Sequence, residues 1–140
     1  MNDGFIDIDQ IQTSFGGDNE PKDEHLIDLL MKAYQGKILC KKAIIPMGLI
    51  QPFSEFEPPH DDNYTKYFMI KYEAMNPPEL LVYEKDGRFI MSDDYNAYYM
   101  YKKIEAMHAI CTVIGDTTLS DGVTYGAEFK MPPPSIEKEE

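Results

Sequence analysis

The chain has 140 residues, enough for one domain that buries roughly two-thirds of its unfolded surface and holds a core without metal or disulfide staples. It carries 25 acidic against 13 basic residues, a formal net charge of -12, and Arg88 is its only arginine. Phosphate-backbone binding needs clustered Lys and Arg, so direct nucleic-acid binding is not expected; a basic or nucleic-acid-binding protein partner suits such a surface better. No apolar run approaches the roughly 20 residues that span a bilayer, and the N-terminus lacks a basic region followed by an apolar core. A soluble cytoplasmic protein is expected, with Cys40 and Cys111 as reduced, buried thiols inside apolar runs.

Residues 1–22 are acidic and glycine-containing and read as a mobile segment, within which Phe5-Ile6-Asp7-Ile8-Asp9 has the alternation of an edge strand. The domain proper is expected over 23–130. Leu26, Ile27, Leu29, Leu30, Ala33 and Tyr34 recur at helical spacing from Asp23 onward, and Gly36 supplies a left-handed stop. Ile38 to Ile45 reads as a strand closed by Pro46. The apolar but interrupted run Met47 to Phe53 and the Pro58-Pro59 segment read as a long surface loop.

His60-Asp61-Asp62 offers an imidazole and two carboxylates, the raw material of a metal site or an acid-base pair. Three adjacent side chains in a loop seldom converge on one ion, and acids at a helix start explain them as well. Asp61, Asp62 or Asn63 would cap a helix carrying Tyr64, Tyr67, Phe68, Ile70, Lys71, Ala74 and Met75, stopped by Asn76 before Pro77. The competing reading is a strand over 66–72, in which Phe68, Ile70 and Tyr72 alternate with Met69 and Lys71; the helix is preferred.

Leu80 to Tyr83 and Phe89 to Met91 flank Lys85-Asp86-Gly87 and predict a tight hairpin. Ser92 reads as an N-cap with Asp93 and Asp94 in the first turn of a helix that runs on as YNAYYMYKKIEAM. That helix is apolar around most of its girth, with Ala97, Met100, Tyr101 and Ile104 on one stripe and Tyr95, Tyr98 and Tyr99 partly to its side. One stripe packs on a sheet, and the other needs a second neighbour. His108 to Ile114 reads as a buried strand, and Asp121-Gly122 predicts a last hairpin of Thr117 to Leu119 against Val123 to Tyr125. From Met131 on, three prolines and Glu137-Lys138-Glu139-Glu140 read as a disordered acidic tail.

The element order from the strand ending at Ile45-Pro46, through Gln51-Pro52, the helix at 62–75, PPELLVYEKDGRFI, the capped helix and the strand at 109–114 resembles the ParB/sulfiredoxin-like domain. The resemblance covers roughly residues 43–115. The elements together predict an α+β fold, a small mixed sheet packed with about three helices near 23–35, 62–75 and 93–106, with which the resemblance agrees over its range. The resemblance also implies a glycine, histidine or glutamate, and arginine cluster for phosphates at a helix start. Ser92, Asp93, Asp94, Tyr95, Asn96 and Ala97 stand there instead, so the cluster is missing and two carboxylates would repel a phosphate unless a divalent cation bridged them.

Three functions follow from these residues. The leading expectation is a non-catalytic interaction protein, of inhibitor, immunity or regulatory type, that binds a protein partner through Tyr95, Tyr98, Tyr99, Asp93 and Asp94, with no cofactor and no metal. The alternatives are a nucleotide- or metal-dependent ParB-like domain using Asp93 and Asp94, and an acidic nucleic-acid mimic that blocks a DNA- or RNA-binding enzyme.

Overall fold

The computed structural model describes residues 21–132. In chain order these form helix α1 (Glu24–Tyr34), strand β1 (Cys40–Pro46), a 3-10 turn (Met47–Leu49), β2 (Ile50–Pro52), α2 (Asp62–Glu73), β3 (Leu80–Lys85), β4 (Arg88–Met91), α3 (Tyr95–Lys103), β5 (His108–Ile114) and β6 (Thr124–Phe129). The strands make one mixed sheet in the order β2-β4-β3-β5-β1-β6. The fold is α+β, as expected. The strand at 5–9 lies outside the described residues, as do all but Pro21 and Lys22 of the N-terminal segment and all but Met131 and Pro132 of the tail.

The hairpin forms where Asp-Gly demands it. Asp86 and Gly87 both adopt positive φ, 53° and 79°, the backbone of a two-residue turn whose twist matches the strands, and Lys85 pairs with Arg88 directly across it. β3 also runs parallel to β5, and β5 runs antiparallel to β1. Strand pleating then sorts side chains onto two faces. Ala43, Ile45, Leu80, Val82, Phe89, Met91, Ala109, Cys111 and Val113 fall on the first face, and Cys40, Tyr83 and Ile114 on the second. The two thiols are buried and unlinked, on opposite faces of neighbouring strands.

α2 and α3 cover the first face, whose core they complete with Phe68, Tyr95, Ala97, Tyr98, Met100 and Tyr101. α1 covers part of the second face with Leu26, Leu30 and Ala33. Its attachment is polar as well as apolar. Asp23, only 4% exposed, caps α1 by accepting from the His25 and Leu26 N–H groups at 3.1 and 3.2 Å, and its other oxygen accepts from the Tyr83 hydroxyl at 2.7 Å. Three donors satisfy one buried carboxylate and tie the start of α1 to the middle of β3. Asp23→Ala removes the cap and orphans the Tyr83 hydroxyl, and is expected to cost about 2–3 kcal/mol in urea denaturation. Tyr83→Phe should cost about 1–2 kcal/mol, because it leaves a carboxylate oxygen without its donor. Equal stability of wild type and both variants would show that α1 is held by apolar contact alone.

All three helices end in the same way, with a left-handed residue and paired hydrogen bonds back into the last turn. Gly36 does this for α1, as predicted, but Met75 (φ 60°) and Glu105 (φ 58°) do it for α2 and α3. At α2 the Met75 N–H reaches the Tyr72 carbonyl and the Asn76 N–H reaches the Lys71 carbonyl, so Met75 rather than Asn76 is the stop. A Cβ is unfavourable in this conformation and the Met75 side chain is 87% exposed, so Met75→Gly should stabilise the protein by about 0.5–1 kcal/mol. A lowered melting temperature would instead assign the methionine a packing role.

Residues 62–73 are helical, as preferred over the strand, with Asp61 as the N-cap accepting from Asn63 and Tyr64 N–H. The structure corrects three expectations. The first strand starts at Cys40 rather than Ile38. The surface loop after Pro46 contains a 3-10 turn and β2, which pairs parallel to β4 at Ile50 to Pro52. Thr117 to Leu119 is not a strand: Val123 leads into β6, which pairs with β1 across a bulge between Lys41 and Ala43. Glu84 holds the 117–119 segment instead, its carboxylate accepting from the Thr118 hydroxyl and the Thr118 and Leu119 N–H groups. Among the described residues no helix is long and apolar enough to cross a membrane.

Candidate functional site

The tyrosine-rich helix starts later than its sequence suggests. Ser92 is buried and its hydroxyl has no hydrogen-bond partner among the described residues, so it is not the cap. Asp94 is, accepting from the Ala97 N–H at 3.3 Å, and α3 runs from Tyr95 to Lys103 rather than over 93–106. The Asp94 carboxylate sits partly buried at the start of α3. Desolvation pushes its pKa up to about 6, with the Ala97 N–H acting in the opposite direction.

The four tyrosines of α3 divide sharply. Tyr95 is 0% exposed, its hydroxyl 3.3 Å from Ser54 Oγ and its ring edge-on to Phe56 at 5.3 Å. Tyr101 is equally deep, donating to the Pro78 carbonyl at 3.1 Å and accepting from the Ile110 N–H at 3.4 Å; burial pushes its hydroxyl up to about 12. Tyr98 is buried, with Lys102 Nζ 5.7 Å from its ring centre. Tyr99 alone reaches towards solvent, edge-on to Tyr98, its hydroxyl pKa raised by burial and then by Glu57 and Glu55. Of the predicted partner-binding set, Tyr95 and Tyr98 therefore act as core, Asp94 as a helix cap, and Tyr99 and Asp93 remain at the partly exposed rim.

Tyr99 lines a groove of about 450 Å³ between α3 and the segment leading into α2. Its other walls include Pro59, His60, Tyr64, Asn96 and Lys103. His60 Nε2 lies 2.6 Å from an Asp62 carboxylate oxygen, both side chains exposed, while Asp61 is occupied in capping α2. The triplet His60-Asp61-Asp62 thus serves a helix start, and among the described residues no three His, Cys, Asp or Glu side chains converge as metal ligands.

Beside the groove, the outer side of α2 was missed by the sequence reading. Phe68 is its only buried residue. Tyr64 and Phe68 turn inward, with Phe68 stacked on the exposed Tyr72 at 5.9 Å and edge-on to Tyr101 at 5.2 Å. Tyr67 and Ile70, three residues apart and therefore neighbours on the helix surface, point away at 49% and 67% exposure. Four of the nine exposed large apolar residues among those described, Tyr67, Ile70, Tyr72 and Met75, belong to α2 or its end. The signal was present in the sequence as apolar residues on more than one stripe of this helix, which periodicity alone does not sort into buried and exposed.

No protein-family model matches the chain, and no curated protein is similar to it. Among solved structures, the chain is similar to the sulfiredoxin from Arabidopsis thaliana, at 18% identity, over 54% of this chain and 86% of that one, with a TM-score of 0.46. This is a weak resemblance over about half the chain.

Proposed function

We propose that the chain is a non-catalytic protein-binding module, of inhibitory or regulatory type, that receives its partner on the outer face of α2 and the adjoining Tyr99 groove. The observation that carries this reading is the exposed pair Tyr67 and Ile70 on a helix that gives a single side chain to the core. Apolar side chains clustered on one helix, edged by the polar groove residues His60, Asn96 and Lys103, form the aromatic centre and polar rim of an interface. The net charge of -12 favours a basic partner, whose approach it would accelerate at low salt.

A photo-crosslinking residue at position 70 tests this, with position 44 on the opposite face as the control; Ile44 is 45% exposed. One discrete adduct from position 70 and none from position 44 is expected in the native lysate. Tyr67→Glu should weaken that partner at least tenfold, the scale of an aromatic anchor, with its unfolding midpoint unchanged. Identical adducts from both positions, or full binding by Tyr67→Glu, would overturn the reading.

A further inference from the structure

The second face of the sheet is covered over only part of its width. α1 lies on Cys40, Tyr83 and Ile114, with Leu81, Ile90 and Phe129 at its edge. Towards β4 and β2 a groove of about 480 Å³ opens, walled by Gln51, Phe53, Tyr83, Lys85, Arg88 and Ile90. Phe53, 42% exposed, is the aromatic side chain its lining presents most openly, among polar neighbours.

The charge of this groove is opposite to that of the chain. Lys85 and Arg88 stand directly opposite each other across the hairpin, on the face that also carries Tyr83 and Ile90. Like charges in that position repel. Neither makes an ion pair with a carboxylate among the described residues; Arg88 donates to the Gly48 carbonyl at 3.3 Å, and the lining carboxylate is Asp86 of the turn. Two neighbouring cations beside Phe53 and Tyr83 suit an acidic, apolar peptide.

Asp23 is held on the Tyr83 hydroxyl at 2.7 Å, and Tyr83 lines the groove, so residues 1–20 join the described chain just before a side chain bonded to the groove's wall. An extended chain covers up to about 3.3–3.6 Å per residue, and Lys85 is the next side chain after Tyr83 on the same face of β3, so a few residues bridge the gap. Residues 1–20 contain Asp3, Asp7, Asp9, Asp18 and Glu20, no lysine or arginine, and the apolar residues Phe5, Ile6, Ile8, Ile11 and Phe15. We propose that the groove is the docking site of this N-terminal segment of the same chain, whose carboxylates meet Lys85 and Arg88 and whose apolar side chains cover Phe53, Tyr83 and Ile90. The groove is then an internal binding site, filled by a strap that completes the cover of the sheet.

Zero-length carbodiimide coupling of the full chain, read by mass spectrometry, tests it. Amide links from Lys85 to Asp3, Asp7, Asp9, Asp18 or Glu20 are expected, falling roughly threefold or more between 50 and 500 mM salt as the charges are screened. In an equimolar mixture of unlabelled and nitrogen-15 chains these links should stay within one isotope. Mixed-isotope links would assign the groove to a second copy, and Lys85 links confined to carboxylates of residues 21–132 would leave it without the segment; either overturns the proposal. Arg88, as the only arginine, gives one side-chain Nε–H signal. It should move in the variant carrying D3N, D7N, D9N, D18N and E20Q together, and an unmoved signal would also overturn the proposal.

Discussion

Phe68→Ala is expected to destabilise the protein by about 3–5 kcal/mol, the cost of emptying a fully buried aromatic site. The effect should be regional as well as large. Phe68 is the only buried residue of α2 and the partner of Tyr64, Tyr72 and Tyr101, so its loss removes the helix's hold on the sheet. Hydrogen exchange in α2 should accelerate more than in β3 or β5, and the proposed partner should be lost with it. Phe68→Leu, which keeps most of the volume, should cost clearly less. A loss under about 1 kcal/mol for Phe68→Ala would mean that α2 is held by its rim contacts instead.

Asp94→Asn should stabilise the protein at pH 7 by on the order of 2–3 kcal/mol and flatten its pH dependence. The folded-state pKa of Asp94 is raised from 3.8 to about 6, so between those values the folded chain binds more protons than the unfolded one. Stability therefore falls as pH rises through that window, and at neutral pH the ionised, partly buried carboxylate opposes folding. Asparagine caps a helix about as well without the charge. Denaturation at pH 5 and pH 7.5 should show the wild type gaining on the variant by about 1–1.5 kcal/mol at the lower pH. Glu84 acts with the opposite sign: burial raises its pKa, but the bonds from Thr118 and Leu119 prevail and lower it, so its contribution fades in stronger acid. Parallel curves for wild type and Asp94→Asn would place the Asp94 carboxylate in water.

The sequence disclosed those elements whose local chemistry decides them. Asp86-Gly87 between apolar runs could hardly be other than a turn, and the uncharged run from Ala109 to Ile114 is a strand that buries Ala109, Cys111 and Val113 on one face and Ile114 on the other. It failed where tertiary contact decides. Ile50 to Pro52 is too short to show a period, and becomes a strand only because β4 offers it an edge. Val123 to Tyr125 reads as one arm of a local hairpin, but β1 competes for this stretch and pairs with Thr124 to Phe129 in a longer ladder. Ser92 and Asp94 are both good caps by type; burial of the serine hydroxyl selects between them.

The same limit applies to the candidate site. Tyrosine at a helix stripe marks either an interface or a core, and hydrogen-bond partners beside the sheet, the Ser54 hydroxyl for Tyr95 and the Pro78 carbonyl for Tyr101, turn most of α3 inward. The surface left for a partner then moves to α2, whose Tyr67 and Ile70 are apolar side chains left 49% and 67% exposed.

The place of β1 in the sheet also governs how the chain can be made. Both of its neighbours come late: Cys40 pairs with Ile114 on one side and with Phe129 on the other. While the ribosome is still delivering the second half, the run Cys40 to Pro46 has two open edges and no ladder. Exposed edges of this kind recruit other strands, and distant pairings close slowly. Nascent chains stalled before residue 108 should therefore be protease-sensitive and prone to stick, and protection of β1 should arrive in two steps, with β5 and then with β6.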